Sequence, residues 1–304
     1  MLLSVEFPSV VSREGPEQVA ALARGIEDAG YDDLAVFDHV VMGYETPSRP
    51  APMYPTKMPI LEALITLGFV AAVTDRVTLS TEVLILPQRQ AVLVAKQVSS
   101  LDTLSNGRMR LGVGVGWQEA EYTALGHEYA RRGAAMDDAI DLLRACWRDE
   151  QIDHDGVGFH ADAIAMEPKP PQGTGLPIWV GGGSAAALGR VGRRGDGWMG
   201  MLGGDDDATA ADIAAIRRHA EEAGRDPAAI GLQAMLAPPP SDAGGRTFYQ
   251  DHDRVAARAE RIAALGFGWL SINATAMFQA GARTVDALVD QLGTLHGRLR
   301  TAVG

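Results

Sequence analysis

Residues Glu27–Phe37 read EDAGYDDLAVF. An amphipathic run ends on a glycine suited to a left-handed helix cap, a short acidic turn follows, and an apolar strand begins. The same joint returns as RRGDGWMGM at Arg193–Met201 and as AALGFGWLSI at Ala263–Ile272. Three copies of one helix-to-strand unit predict a repeated α/β architecture, because parallel strands need helical crossovers. The joint alone fits a closed barrel and an open doubly wound sheet equally well.

Reading outward, short Val/Ile/Leu-rich runs fall at Leu2–Phe7, Leu34–Phe37, Val77–Leu86, Arg110–Val115, Ile178–Val180, Gly197–Met201, Gly231–Leu236 and Trp269–Ile272. Amphipathic stretches such as Glu17–Ala29, Val92–Leu104 and Thr284–Leu299 lie between them. Eight strands without an early Gly-x-Gly-x-x-Gly favour a (β/α)8 TIM barrel with insertion segments. The 304 residues fit one such domain over 1–304, since a barrel takes about 250 residues before insertions. Two stretches break the rhythm. Val40–Pro59 holds five prolines with Tyr44 and Tyr54 and is expected to be a lid loop; Asp149–Gly175 is expected to be a β-hairpin insertion. Pro238–Gly245 is a third expected loop.

Composition narrows the function. Hydrophobic residues at 46% and charged residues at 22% supply a full core, which excludes a disordered chain. A net charge of −12 argues against nucleic acid as a partner. The opening MLLSVEFPSV has neither a basic flank nor a long apolar run, so the expectation is a soluble, cytoplasmic protein without a membrane anchor. Cys146 stands alone, which excludes a disulfide framework and a cysteine-based zinc site. His154 and His160 flank acids but fall in the hairpin, where solvated loop residues are commoner than metal ligands; no metal site is expected.

In a barrel the chemistry sits at the C-terminal ends of the strands. Asp38-His39 follows the second strand; such a pair is often plain loop structure, but at the barrel mouth an imidazole can trade protons near neutral pH. Glu82 interrupts an apolar strand and is either an outward partner for a helix arginine or a functional carboxyl. Gly114 and its neighbours leave room beside the fourth strand, closed by Trp117, which either packs or walls a ligand. Gly181-Gly182-Gly183-Ser184 opens a helix, where free N–H groups and the helix dipole attract a phosphate; the plainer reading is a glycine turn with Ser184 as N-cap. The Trp179, Trp198 and Trp269 indoles read as core or helix-ring residues.

Taken in order, AGYDDLAVFDH (Ala29–His39), STEVLILPQRQAVLVAKQVSSLDTLSNGRMRLGVGVGW (Ser80–Trp117) and PIWVGGGSAAALGRVGRRGDGW (Pro177–Trp198) resemble the luciferase-like monooxygenase superfamily, and within it the actinobacterial oxidoreductases that use the deazaflavin coenzyme F420. The resemblance covers essentially the whole chain and is most specific in its middle segment. It implies a flavin-type ring across the strand ends, supported by a non-proline cis peptide that falls at Glu82-Val83. It implies a cofactor phosphate on the Gly182 and Gly183 amides, and Asp38 and His39 beside the ring. The implied reaction is hydride transfer between the deazaflavin C5 and a small, fairly apolar molecule, with His39 handling the proton, Asp38 beside it, and Trp117 and Tyr44 lining the substrate space. FMN is the alternative cofactor; an FMN-dependent monooxygenase and a non-catalytic flavin-binding barrel are the alternative activities. Arg49, Lys57, Arg89 and Lys169 are the cations expected to meet the anionic cofactor tail. A homodimer is implied by the resemblance alone. One departure matters: sugar-phosphate dehydrogenases of this family carry a proton-donating glutamate directly after the fourth-strand glycines, where this chain has Trp117, and neither Glu119 nor Glu121 matches it.

Overall fold

The computed structural model describes residues 1–203, 205–237, 245 and 247–304; the expected loop at Pro238–Gly245 therefore lies almost wholly outside the described residues. Along the chain run β1 (Leu2–Glu6), α1 (Pro16–Asp28), β2 (Asp33–Val36), α2 (Ala63–Ala71), β3 (Thr78–Thr81), β4 (Leu84–Ile85), α3 (Ala91–Leu104), β5 (Met109–Gly114), α4 (Glu119–Ala124) and α5 (Arg132–Arg148). There follow β6 (Ile152–Asp155), β7 (His160–Ile164), β8 (Ile178–Gly181), α6 (Ala185–Arg194), β9 (Gly197–Gly200), α7 (Asp206–Glu222), β10 (Gly231–Leu236), α8 (His252–Ala264), β11 (Trp269–Asn273), α9 (Ala274–Ala280) and α10 (Val285–Val303). The parallel order β3-β2-β1-β11-β10-β9-β8-β5 closes because β3 also pairs with β5, giving the eight-stranded barrel. β4 carries the third strand on past a break at Glu82-Val83, where the peptide bond is cis. The Val77–Leu86 run is thus one strand in the sequence and two in space. β6 and β7 form the antiparallel hairpin expected of the 149–175 insertion.

The strands are buried on both faces, which is why they read as apolar runs rather than alternating ones. Leu3, Val5, Leu34, Val36, Leu79, Leu111 and Ile178 face the helices and are fully buried. The opposite positions fill the barrel, and these are polar or aromatic. Arg110 lies between the Trp179 and Trp269 rings, 4.7 and 4.2 Å from their centroids. Its guanidinium donates to Asp33 Oδ2 at 3.0 Å and to Gln233 Oε1 at 2.7 Å, and Asp33 also accepts from the Ser4 and Ser80 hydroxyls. Gly197 and Gly231 are glycines for a steric reason: a Cβ on either would sit 2.2 or 2.5 Å from the Trp179 ring. The two indoles therefore belong to the barrel interior, where with Arg110 they make its floor, and not to the helix ring.

Candidate active site

Above that floor, Glu82 points inward rather than out toward a helix arginine. Its Oε2 accepts from the Ser271 hydroxyl at 2.6 Å. Burial pushes Glu82 up to about 7, against the pull of Ser271 and Arg110. Glu6, at the end of β1, is pushed up to about 8 by burial and by the Glu82 charge. Two coupled carboxyls in the barrel interior cannot both ionise cheaply, so near neutral pH the pair holds at least one proton.

The cis Glu82-Val83 corner turns the Val83 side chain onto two glycines. A Cβ at Gly114 would lie 2.5 Å from Val83 Cγ2, and one at Gly181 would lie 3.0 Å from Val83 Cγ1. The room at Gly114 is thus filled by Val83, and the corner is a packed ledge across β4, β5 and β8. Beside it, Gly182 has φ +112°, a backbone geometry that favours glycine, and its carbonyl accepts from Trp198 Nε1 at 2.8 Å. Gly182, Gly183 and Ser184 are exposed, and a Cβ on Gly183 would meet nothing. Ser184 is the N-cap of α6, its hydroxyl accepting from the Ala187 amide at 3.2 Å; its own O–H remains a donor. The serine thus caps the helix, with the exposed Gly182 and Gly183 just before it.

Asp38 and His39 emerge from β2 already fixed. Asp38 accepts from the Ile85 amide at 3.0 Å and from Arg89 at 2.7 Å, and Arg89 also pairs with Glu62 at 2.8 Å. Burial pushes the Asp38 carboxyl up against the pull of Arg89 and that amide. Asp38 therefore braces the strand beyond the cis corner. His39 Nδ1 lies 2.9 Å from Glu121 Oε2, and the other Glu121 oxygen accepts from the Val40 and Val41 amides. Glu121 is fully buried; burial pushes its carboxyl up, but the His39 and amide hydrogen bonds outweigh this and hold it below its usual range. The arrangement puts a proton on Nδ1 and turns Nε2, which has no protein partner among the described residues, into the group available for proton exchange.

Around His39 stand Trp117 at 5.4 Å and Tyr54 at 5.7 Å between ring centroids, with Phe37 5.9 Å from Tyr54. Trp117 is thus in the expected wall. Tyr44 is not brought into it: its side chain is 61% exposed, while Tyr54 occupies the place beside His39. Two of the four expected tail cations are also engaged elsewhere, Arg89 on Asp38 and Glu62, and Lys169 on the Cys146 and Asp149 carbonyls at the end of α5. Arg49 and Lys57 remain exposed on the loop. The residues missed by the sequence reading are Glu121, Glu6, Tyr54 and Gln118, whose side chain holds the Gly43 amide and the Val41 carbonyl. The three-residue spacing of Gln118 and Glu121 on one helix face was the available signal.

The 48–58 part of the loop splits the mouth into two clefts that share Met53. One, of about 710 Å³, runs past Arg49, Trp117, Glu119 and Tyr129; the other, of about 510 Å³, runs past Glu6, Phe37, Tyr54, Thr275 and Arg283. Among the described residues no three His, Cys, Asp or Glu side chains gather as metal ligands, and no helix is long and apolar enough to cross a membrane.

Known proteins place this arrangement. The family model described as luciferase-like monooxygenase matches residues 1–299. An uncharacterised protein of Mycobacterium tuberculosis is 35% identical over 211 residues, covering 67% of this chain and 72% of its own. The F420-dependent glucose-6-phosphate dehydrogenase of Gordonia bronchialis is 30% identical over 237 residues, covering 75% of this chain and 66% of that protein. Among solved structures, an F420-dependent secondary alcohol dehydrogenase in complex with an F420–acetone adduct superposes with a TM-score of 0.78 at 17% identity, covering 99% of this chain and 100% of that one. With the barrel, the cis corner and the match over nearly every residue in agreement, the chain belongs to the luciferase-like monooxygenase family of oxidoreductases.

Proposed function

We propose that this protein is a coenzyme F420-dependent oxidoreductase acting on a small, fairly apolar organic molecule. The observation that carries the reading is the His39–Glu121 pair: a buried carboxylate orients one imidazole nitrogen and leaves the other available at the mouth. The site fits a flat anionic cofactor. Val83, seated on Gly114 and Gly181, offers a ledge for a ring, and the Gly182 and Gly183 amides with the Ser184 hydroxyl offer donors for its phosphate. When bound, the deazaflavin supplies hydride donation or acceptance at C5. The chain's own part is positioning and proton handling. His39 Nε2 gives a proton to, or takes one from, the substrate oxygen, a role worth about 10² to 10⁴ in rate. Trp117 and Tyr54 flank that imidazole and keep water from it. Asp38, through the Ile85 amide, holds the ledge in place. Trp117 at the position of the sugar-phosphate dehydrogenases' glutamate argues against a sugar phosphate as substrate. A homodimer in the cytoplasm belongs to the same reading.

Titration with F420 and with FMN, followed by fluorescence, tests it. Saturable, stoichiometric F420 binding with weaker FMN binding is the expected result. Preference for FMN would move the protein to the oxygen-using branch, and indifference to both would refute the cofactor site. Tight F420 binding with no hydride exchange toward any aldehyde, ketone, enone or imine would mark a non-catalytic carrier.

A further inference from the structure

The 510 Å³ cleft on the β1/β11 side of the loop has chemistry that neither the ledge nor His39 uses. Its inner end meets Glu6 and the buried Thr275, whose hydroxyl finds no partner. Thr275 is 9% exposed, so an idle hydroxyl there is costly unless a ligand fills the need. Asn273 sits beside it; its oxygen caps α9 through the Ala276 amide at 2.8 Å, and its NH2 group has no partner among the described residues. The wall is apolar, built by Phe37, Met53, Tyr54 and Met58. At the outer end stands Arg283, which among the described residues touches the Gln279 carbonyl, at 3.3 Å, and the Phe278 ring, with its centroid 5.2 Å away. No carboxylate pairs with it among the described residues. Phe37 and Tyr54 line this cleft and Tyr54 also lies against the His39 ring, so the cleft borders the imidazole.

The larger cleft differs in charge. Its lining holds one cation, Arg49, and one anion, Glu119. In the smaller cleft the one acid among the described lining residues is Glu6, held largely neutral by burial, and among the described residues no carboxylate answers Arg283.

We propose that the smaller cleft is the substrate site, taking an apolar alcohol or carbonyl compound that carries a carboxylate, with Thr275 and Asn273 at its polar inner end and Arg283 on the carboxylate. The assignment of this cleft to substrate rests on the oxidoreductase reading; the preference for a carboxylated, apolar ligand does not. Arg283 is exposed, so its share is moderate, about fivefold in affinity rather than the hundredfold of a buried pair.

The test uses the full chain without cofactor and two probes that differ in one group, 3-phenylpropionate and 3-phenylpropan-1-ol, with binding followed by ligand-observed NMR at pH 7. The wild type should bind the acid about fivefold more tightly than the alcohol. Arg283→Ala should erase that preference, Arg283→Lys should keep most of it, and Thr275→Val should weaken both probes. Arg49→Ala, in the other cleft, should leave the acid preference unchanged. Equal binding of the two probes by the wild type, a preference that survives Arg283→Ala, a preference lost in Arg49→Ala, or no binding of either probe would each overturn the proposal. Unchanged melting curves show that the variants are folded. F420 titration of the same samples separates the two readings: an acid preference without F420 binding sinks the proposed cofactor and spares the cleft, and F420 binding without the preference does the reverse.

Discussion

Replacing Glu121 by glutamine changes one atom and should disturb three contacts. Glu121 accepts from His39 Nδ1, Val40 N and Val41 N. Glutamine keeps an oxygen for the two amides but presents an NH2 group to His39 Nδ1, or else gives the oxygen to His39 and the NH2 group to the amides. In the second arrangement the NH2 group faces two amide donors, and in the first it faces the Nδ1 proton unless the ring gives that proton up. The first arrangement retains more bonds, so His39 should switch to the tautomer protonated on Nε2. Charge-assisted hydrogen bonds are worth about 1.5–3 kcal/mol each and neutral ones about 1, so the loss of ionic character at three bonds amounts to about 3 kcal/mol. For a chain of this length that is a fall of about 4–8 °C in Tm. The direct assay is the two-bond 1H–15N spectrum of the imidazoles, with the His39 signal assigned by its disappearance in His39→Asn. In the wild type the Nδ1-protonated pattern is expected, and in Glu121→Gln the Nε2-protonated one. Turnover should drop about a hundredfold while F420 affinity stays within about twofold, because the ring loses its orientation and not its place. Glu121→Asp should recover part of the rate. If His39 keeps its tautomer in Glu121→Gln, the orienting role of the carboxylate is refuted, whatever the activity does.

Three further outcomes follow from the geometry. Glu6 and Glu82 are pushed up to about 8 and about 7 in the fold against 4.5 in the open chain, so the folded state holds protons that the unfolded chain releases; the contribution of this pair to stability should be full below pH about 4.5 and be lost as pH rises through 7 to 8, a change on the order of several kcal/mol. Melting curves at pH 5 and pH 8.5 should therefore diverge in the wild type, less in Glu6→Gln, where Glu82 remains, and least when Glu82→Gln is added; equal divergence in all three proteins would exclude the effect. Gly114→Ala drives a Cβ to within 2.5 Å of Val83 Cγ2, which should cost about 1–3 kcal/mol in urea titration and weaken cofactor binding, with Val83→Ala restoring both; no rescue in the double variant would show that the ledge is not the contact that matters. His39→Ala should lower turnover at saturating substrate by about 10² or more with cofactor affinity nearly intact, and unchanged turnover would remove His39 from the chemistry.

What the sequence disclosed and what it hid follow one physical line. All eight barrel strands were legible because a strand buried on both faces is written as an unbroken apolar run, and the glycine-capped joints placed the helices between them. The break after Thr81 was not legible from pattern, since Leu84 and Ile85 continue the same hydropathy after the chain has turned; only the resemblance pointed to Glu82-Val83. Loop geometry was the least visible layer. Tyr44 and Tyr54 are equivalent as letters in a proline-rich stretch, and only the path of the loop puts one beside His39 and leaves the other in solvent. Arg89 and Lys169 looked available because their partners are distant in sequence: Asp38 is fifty-one residues from Arg89, and the Cys146 carbonyl twenty-three from Lys169. The interior polar layer was hidden for a related reason. Arg110 opens the Arg110–Val115 run, and nothing in that run shows that Trp179, Trp269 and Asp33 surround it.

The same contacts explain why the site can be firm at its base and adaptable at its rim. Asp38 links the end of β2 to the backbone beyond the cis corner, and Glu121 links the next two residues of that chain to α4. Two consecutive side chains, Asp38 and His39, are thereby held to the third and fourth strand ends by buried carboxylates, so the imidazole and the Val83 ledge are positioned by one bracket. The bracket ends at Gly43, where Gln118 makes its last hold on the loop backbone. Beyond it the loop keeps only a Thr46–Arg49 bridge and scattered contacts, and it is this stretch that partitions the mouth into two clefts. Proton chemistry placed on the bracket and ligand selection placed on the loop can then vary independently: changes at 48–53 and 55–58, which leave Tyr54 against His39, should alter which molecules enter without moving the imidazole. Exchanging Met53 and Met58 for smaller residues should thus change ligand preference and leave the His39 tautomer, read by the same imidazole spectrum, where Glu121 sets it.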